Sequence, residues 1–129
     1  MNGDASARWL FAIGCVAAGV GVAAGAFGAH MLKGSLDQAM LAVYDTATRY
    51  QMYHAFSMVL SGMMVRISGD TAAAKAGWLF LAGMVLFSGS LYGVSLLGIR
   101  WLGAVTPVGG TLFIAGWGIL GWRAWCWRT

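Results

Sequence analysis

The sequence predicts an all-α membrane protein, with four transmembrane helices and an interfacial amphipathic helix between the first and second spans. Three observations carry this. Of 129 residues, 60% are hydrophobic and 9% charged, with a mean hydropathy of +0.74, outside the balance of a soluble domain. The charges leave uncharged runs at Trp9–Ala29 (21 residues), Tyr50–Val65 (16), Ala76–Ile99 (24) and Trp101–Trp122 (22). Between the first two runs lies a long segment patterned as a helix rather than a loop. A spanning helix needs roughly 20 apolar residues at about 1.5 Å each. Three runs suffice directly, and the second does once Arg49 and Arg66 extend their stems along apolar surface. The chain reads as one integral membrane domain, with spans at 9–29, 50–67, 74–98 and 101–123 and the amphipathic helix at 35–49.

The first span is built from small residues. Ala17, Gly21, Gly25 and Ala29 recur every fourth position, and Ala24 with Gly28 adds a second pair. Such a ridge lets another backbone approach closely, and close packing joins helices in lipid. The opening stretch has the basic residue and apolar run of a signal peptide, but its run is as long as a full span, so a retained helix is expected.

In the connecting segment, Leu36, Met40, Val43, Ala47, Tyr50 and His54 recur at spacings of four and three, one face of a helix. Ser35 is the expected N-cap, with Gln38 completing a capping box. Asp45, Arg49 and Tyr53 stand four residues apart, in the favourable acid-before-base order. This helix is expected at the interface, bending into the second span between Arg49 and His54.

The next loop, "RISGDTAAAK", predicts a turn at Gly69 and an N-cap at Asp70. In the third span Gly89 and Gly93 offer a packing notch, flanked by the hydroxyls of Ser88 and Ser90. Pro107 either opens the fourth span after a Thr106 cap or kinks a helix begun near Trp101. The kinked or re-entrant form is expected, because a start at Pro107 scarcely crosses roughly 30 Å.

The net charge of +4 does not indicate nucleic acid, since the basic residues are single and sit at span ends. They indicate orientation instead. With four spans, Arg8, Arg66, Lys75, Arg123 and Arg128 share the side of both termini, against Lys33, Arg49 and Arg100 opposite. The positive-inside rule then places the termini in the cytoplasm, where six of the tryptophans, Trp127 among them, also gather. Cys15 and Cys126 read as small buried apolar side chains rather than a disulfide or metal pair.

On this topology His30, Tyr44, Tyr50, Tyr53, His54 and Tyr92 all fall on the side opposite the termini, with Asp45, Arg49 and Thr106. "GAFGAH" (25–30), "TRYQMYHA" (48–55), "FSGSLY" (87–92) and "TPVGG" (106–110) together resemble the signature blocks of the bacterial inner-membrane family called domain of unknown function 423, similar also to transmembrane protein 256 of animals. The resemblance covers nearly the whole chain in matching order. It implies a four-span fold in the inner membrane and no established activity.

The candidate polar cluster is therefore His30, Asp45, Arg49, Tyr50, Tyr53, His54, Ser88, Ser90, Tyr92 and Thr106, and the candidate packing residues are Ala17, Gly21, Gly25, Gly28, Gly89 and Gly93. His30 and His54 are the candidate pair for metal or haem ligation. Without a cysteine or carboxylate set beside them, a packed and hydrogen-bonded role for His54 is the simpler reading, and no cofactor is predicted. No G-x-S-x-G elbow is present, and the glycine-rich string of the first span follows no strand, so neither an acyl-transfer nor a dinucleotide reading holds.

Three functions then compete. The first is a non-enzymatic helix-packing or accessory subunit, a homo-oligomer or part of a larger membrane complex bathed in lipid. The second is a binding module for a lipid, quinone, haem or metal at the His/Tyr/Arg cluster. The third, a small transporter, is disfavoured because the uncharged runs contain no carboxylate.

Overall fold

The computed structural model describes residues 2–126; Trp127 and Arg128, assigned above to the termini side, lie outside them. Helix α1 (Gly3–Phe27) continues into one π-helical turn, Gly28–Leu32. Helix α2 then runs unbroken from Gln38 to Ser68. The amphipathic segment, expected to bend into the second span between Arg49 and His54, joins it in one continuous 31-residue helix. Its cap is Asp37 rather than Ser35: the Asp37 carboxylate accepts the Met40 N–H at 2.8 Å, and Ser35 Oγ turns back to the Met31 carbonyl at 3.5 Å. Aspartate caps as well as serine does, and it stands directly before the helical run.

Gly69 ends α2 at φ 68°, a left-handed conformation that glycine adopts without a Cβ clash. Asp70 accepts the Ala72 N–H at 2.9 Å and starts α3 (Thr71–Leu97), as expected for this loop. A second left-handed glycine, Gly98, ends α3. A 3-10 turn, Arg100–Ala104, precedes α4 (Thr106–Trp125), with Pro107 in the first turn of α4. The kinked alternative is therefore corrected. Proline in a first turn lacks an N–H that has no intrahelical partner there, and the 3-10 turn supplies the missing reach.

Among the described residues three stretches are long and apolar enough to cross a membrane: Gly3–Leu32, Thr71–Leu97 and Arg100–Trp125. Helix α2 is the most polar of the four, and it packs between two of these. Each helix packs chiefly on its neighbours in sequence, α1 on α2, α2 on α3 and α3 on α4, with α1 touching α3 lightly. Along α1 and α2 the pairing is antiparallel: Gly62 backs on Ala7, Gly14 on Ala55 and Val59, and Gly28 on Tyr44. Leu10, Met58 and Phe80 are wholly buried at the centre.

The buried face of α2 runs through Tyr44, Ala47, Thr48, Gln51, His54, Ala55, Met58, Ser61, Gly62 and Val65. This is rotated from the face read in the sequence, since Tyr50 is 37% exposed and Met40 only half-buried. The reason is that α2 turns its polar residues inward. In lipid a hydroxyl or amide finds its partners on neighbouring helices, and apolar side chains face the hydrocarbon. Cys15 and Cys126 also prove exposed rather than buried.

Candidate functional site

Two polar layers are stacked along the inner face of α2. In the first, nearer the end where α1 closes in its π turn, Gln51 joins three helices. Its Nε2 donates to the Ala17 carbonyl of α1 at 2.9 Å, and its Oε1 accepts the Tyr92 hydroxyl of α3 at 2.6 Å. Thr48 Oγ1 lies 3.3 Å from that hydroxyl and donates to the Tyr44 carbonyl at 3.1 Å. The Tyr44 hydroxyl donates to the Ala24 carbonyl at 2.6 Å, and its ring meets Tyr92 edge-on at 5.4 Å. Ser88, fully buried, donates to the Ala47 carbonyl at 2.7 Å.

The second layer is built on His54. Its Nδ1 lies 2.7 Å from the Tyr50 carbonyl and its Nε2 lies 3.3 Å from the indole Nε1 of Trp117. A carbonyl only accepts and an indole N–H only donates, so the partners assign the neutral tautomer with the proton on Nδ1. The imidazole stacks flat on Phe113 of α4, with ring centroids 3.4 Å apart and planes 5° apart. Phe80 lies tilted beside the imidazole at 5.6 Å, and Tyr50 stacks on Phe87 at 4.6 Å. An open groove of about 470 Å³ is lined here by Tyr50, Tyr53, His54, Phe87, Phe113 and Trp117, among others.

The remaining candidates stand outside both hydrogen-bonded layers, although Tyr53 lines the groove beside His54. Arg49 pairs with Asp45 on the outer face of α2, both mostly exposed. Tyr53 is 52% exposed, with its ring against Tyr50. Ser90 Oγ and Thr106 Oγ1 are 2.6 Å apart and tie α3 to the start of α4. His30 is exposed in the π turn. Tyr44 is level with Gly28, and His54 lies ten residues further along α2, about 15 Å by helical rise. The two histidines are therefore not brought together. Among the described residues no group of three His, Cys, Asp or Glu side chains converges as a metal site.

Of the packing candidates, a methyl group on Gly21 would strike Met52, and one on Gly28 would come within 2.6 Å of the Tyr44 ring. Gly25 meets only the Thr48 methyl group at 3.6 Å, Ala17 contributes its carbonyl, Gly93 receives the Leu102 side chain, and Gly89 faces open space. The tightest approach of a glycine to another helix's backbone is elsewhere: a Cβ on Gly109 would lie 2.5 Å from the Phe87 backbone nitrogen and 2.8 Å from the Gly83 carbonyl.

Gln51 and Trp117 were missed. The signal for Gln51 was its register: Tyr44, Thr48, Gln51, Ala55, Met58 and Gly62 share one stripe, opposite the glycines that recur every seventh residue at 14, 21 and 28. Trp117 carried no such signal, because a tryptophan toward a span end reads first as an interfacial anchor.

At the termini end, Arg123 Nε of α4 donates to Asp70 Oδ2 at 2.7 Å. Burial alone would push the Asp70 carboxyl up. The Arg123 hydrogen bond and charge, together with the Ala72 and Ala73 N–H groups, outweigh it and hold the group below the ordinary carboxylate value.

Apolar helices with an inward polar stripe and an outward apolar surface define a small α-helical membrane protein. The chain belongs to the family described as Protein of unknown function (DUF423), whose model matches residues 24–110. It is 48% identical to the UPF0382 membrane protein SH2409 of Staphylococcus haemolyticus over 107 residues, 81% of this chain and 85% of that protein. It is 45% identical to the UPF0382 membrane protein YwdK of Bacillus subtilis over 106 residues, 81% of this chain and 86% of that one. No solved structure matches the chain.

Proposed function

We propose that this is a four-span protein of the bacterial inner membrane with cytoplasmic termini, a non-enzymatic scaffold that assembles laterally with its own copies. The observation that carries the reading is the use of its polar groups. Every buried side-chain nitrogen or oxygen among the described residues has a hydrogen-bond partner in the chain. Gln51, Tyr92, Ser88 and Tyr44 are spent on joining helices, which is structural work. The fourth span is supported by α2 packing between two membrane-capable helices over its length. Orientation is supported by Arg8, Arg66, Lys75 and Arg123, which share one end of the helix row.

Lateral assembly is supported by α1 and α4, the outer helices, whose apolar windows are 17% buried against 39% for α3. A Cβ on Gly19, Gly118 or Gly121 of those helices would meet nothing within 4 Å among the described residues, and small residues allow close helix approach. Native mass measurement after mild detergent extraction tests this: a defined oligomer is expected, and a strict monomer with no co-purifying partner refutes it. Reporter fusions at residues 34, 69 and 103 test the topology, with only the middle fusion expected to report cytoplasm.

A second reading rests on the groove beside His54. Its walls are flat rings and both imidazole nitrogens are engaged, so a planar ring such as a quinone head suits it better than a metal. Absorption spectra and metal analysis of purified protein, before and after His54→Ala, test it; a clean spectrum without retained small molecule refutes it.

A further inference from the structure

We propose that the groove between the start of α1 and the end of α2 is a binding site for one anionic phospholipid, its phosphate held by Arg8 and Arg66. The groove, about 600 Å³, is lined by Asp4, Arg8, Phe11, Ala12, Gly62 and Arg66, with Ala5 and Ala7. It is graded along its length as a lipid is. The charged residues stand at the termini end, while Phe11 and Ala12 continue about 12 Å from Asp4 along α1, by helical rise, toward the bilayer centre. Gly62 keeps the floor low, since a Cβ there would press on the Ala7 carbonyl at 2.9 Å.

The charge balance selects the headgroup. Among the described residues two guanidinium groups face one carboxylate, and the ion pair between them, Arg66 to Asp4, is long at 3.7 Å, with both side chains largely exposed. Most of the ten guanidinium N–H groups of Arg8 and Arg66 thus remain available for phosphate oxygens, which suit the planar fork. Asp4 offsets only one of the two guanidinium charges, so the rim keeps a net positive charge and a lipid with net negative charge gains more than a zwitterionic one. The groove near Lys33 and Asp45 carries one charge of each sign and has no such preference. Arginines at a membrane interface attract anionic lipid in general; here an open groove lined by Phe11, Ala12 and Gly62 leads away from them.

The experiment uses the full chain in neutral detergent, with thermal unfolding followed as phosphatidylglycerol or phosphatidylcholine is added. Phosphatidylglycerol raises the midpoint saturably, and phosphatidylcholine does not. Arg8→Gln with Arg66→Gln weakens the apparent affinity roughly tenfold or more, whereas Lys75→Gln, at the same end but outside the groove, leaves it unchanged. Ala12→Trp, which keeps both arginines and fills the groove, also weakens it. Native mass spectra of the unaltered protein, independent of any variant, retain one anionic lipid per chain. An equal response to both lipids, a Lys75→Gln loss as large as that of the arginine pair, or protein carrying no lipid overturns the proposal.

Discussion

The hydroxyl of Tyr92 on α3 donates to Oε1 of Gln51 on α2 at 2.6 Å, and the other end of that amide is committed to α1. One side chain therefore fixes the relative heights of three helices. Gln51→Leu removes both of these interhelical bonds and leaves the Tyr92 hydroxyl only its longer, 3.3 Å contact with Thr48 Oγ1, and it is expected to destabilise by about 1–3 kcal/mol. Tyr92→Phe removes one bond and should cost less. The double-mutant cycle, read by reversible unfolding in mixed micelles, should give a coupling of about 0.6–1.7 kcal/mol.

Glycines separate by what they face. Gly109→Ala drives a methyl group into the Phe87 and Gly83 backbone, which cannot rotate away, and a loss of roughly 1–3 kcal/mol is expected. Gly89→Ala meets nothing and should be neutral, or stabilise by up to about 1 kcal/mol through helix propensity. Thermal midpoints of the two variants check the contrast.

The Asp70–Arg123 bond makes stability fall in acid. A carboxyl held below its ordinary value in the folded protein contributes stability that is complete above that ordinary value, about 3.9. The contribution is lost as pH drops through the lower folded-state value. Asp70→Asn keeps an N-cap acceptor and should flatten the pH dependence of the unfolding midpoint below about pH 4. An unchanged slope would show that other carboxylates govern it.

His54 should be found as the Nδ1–H tautomer at neutral pH. Nitrogen-15 spectra of labelled protein are expected to show a pyrrole-type Nδ1 and a pyridine-type Nε2. Trp117→Phe removes the N–H donated to Nε2, so it should move the Nε2 resonance and leave Nδ1 nearly fixed.

The uncharged runs made α1, α3 and α4 legible, because each of those helices is apolar on most sides. Helix α2 was legible as a helix but not in its extent. Its Thr48, Gln51, His54, Ser57 and Ser61 are buried, and composition along a run cannot say which way a side chain points. The polar cluster was found as a set of residue types but not as a geometry. Tyr44 and Tyr92 meet edge-on and Ser88 ties α3 to the Ala47 carbonyl, while Asp45, Arg49 and Tyr53 stay exposed on α2. Spacing by four placed Asp45 beside Arg49, while Tyr53 sets its ring against Tyr50; spacing could not tell an outer stripe from an inner one. Gln51 went unnoticed between more conspicuous rings, though its place opposite Gly21 was written in the seven-residue glycine interval. Pro107 was misread because the reach of a preceding 3-10 turn has no apolar signature.

Helices stacked in the order of the chain have a consequence for biogenesis. Each segment that leaves the ribosome finds its docking surface already inserted, since α2 needs only α1, α3 needs chiefly α2, and α4 needs chiefly α3. Low sequence separation between partners favours quick and faithful assembly, so a nascent chain arrested after α2 should already hold a paired hairpin, protected before the last two helices have been translated.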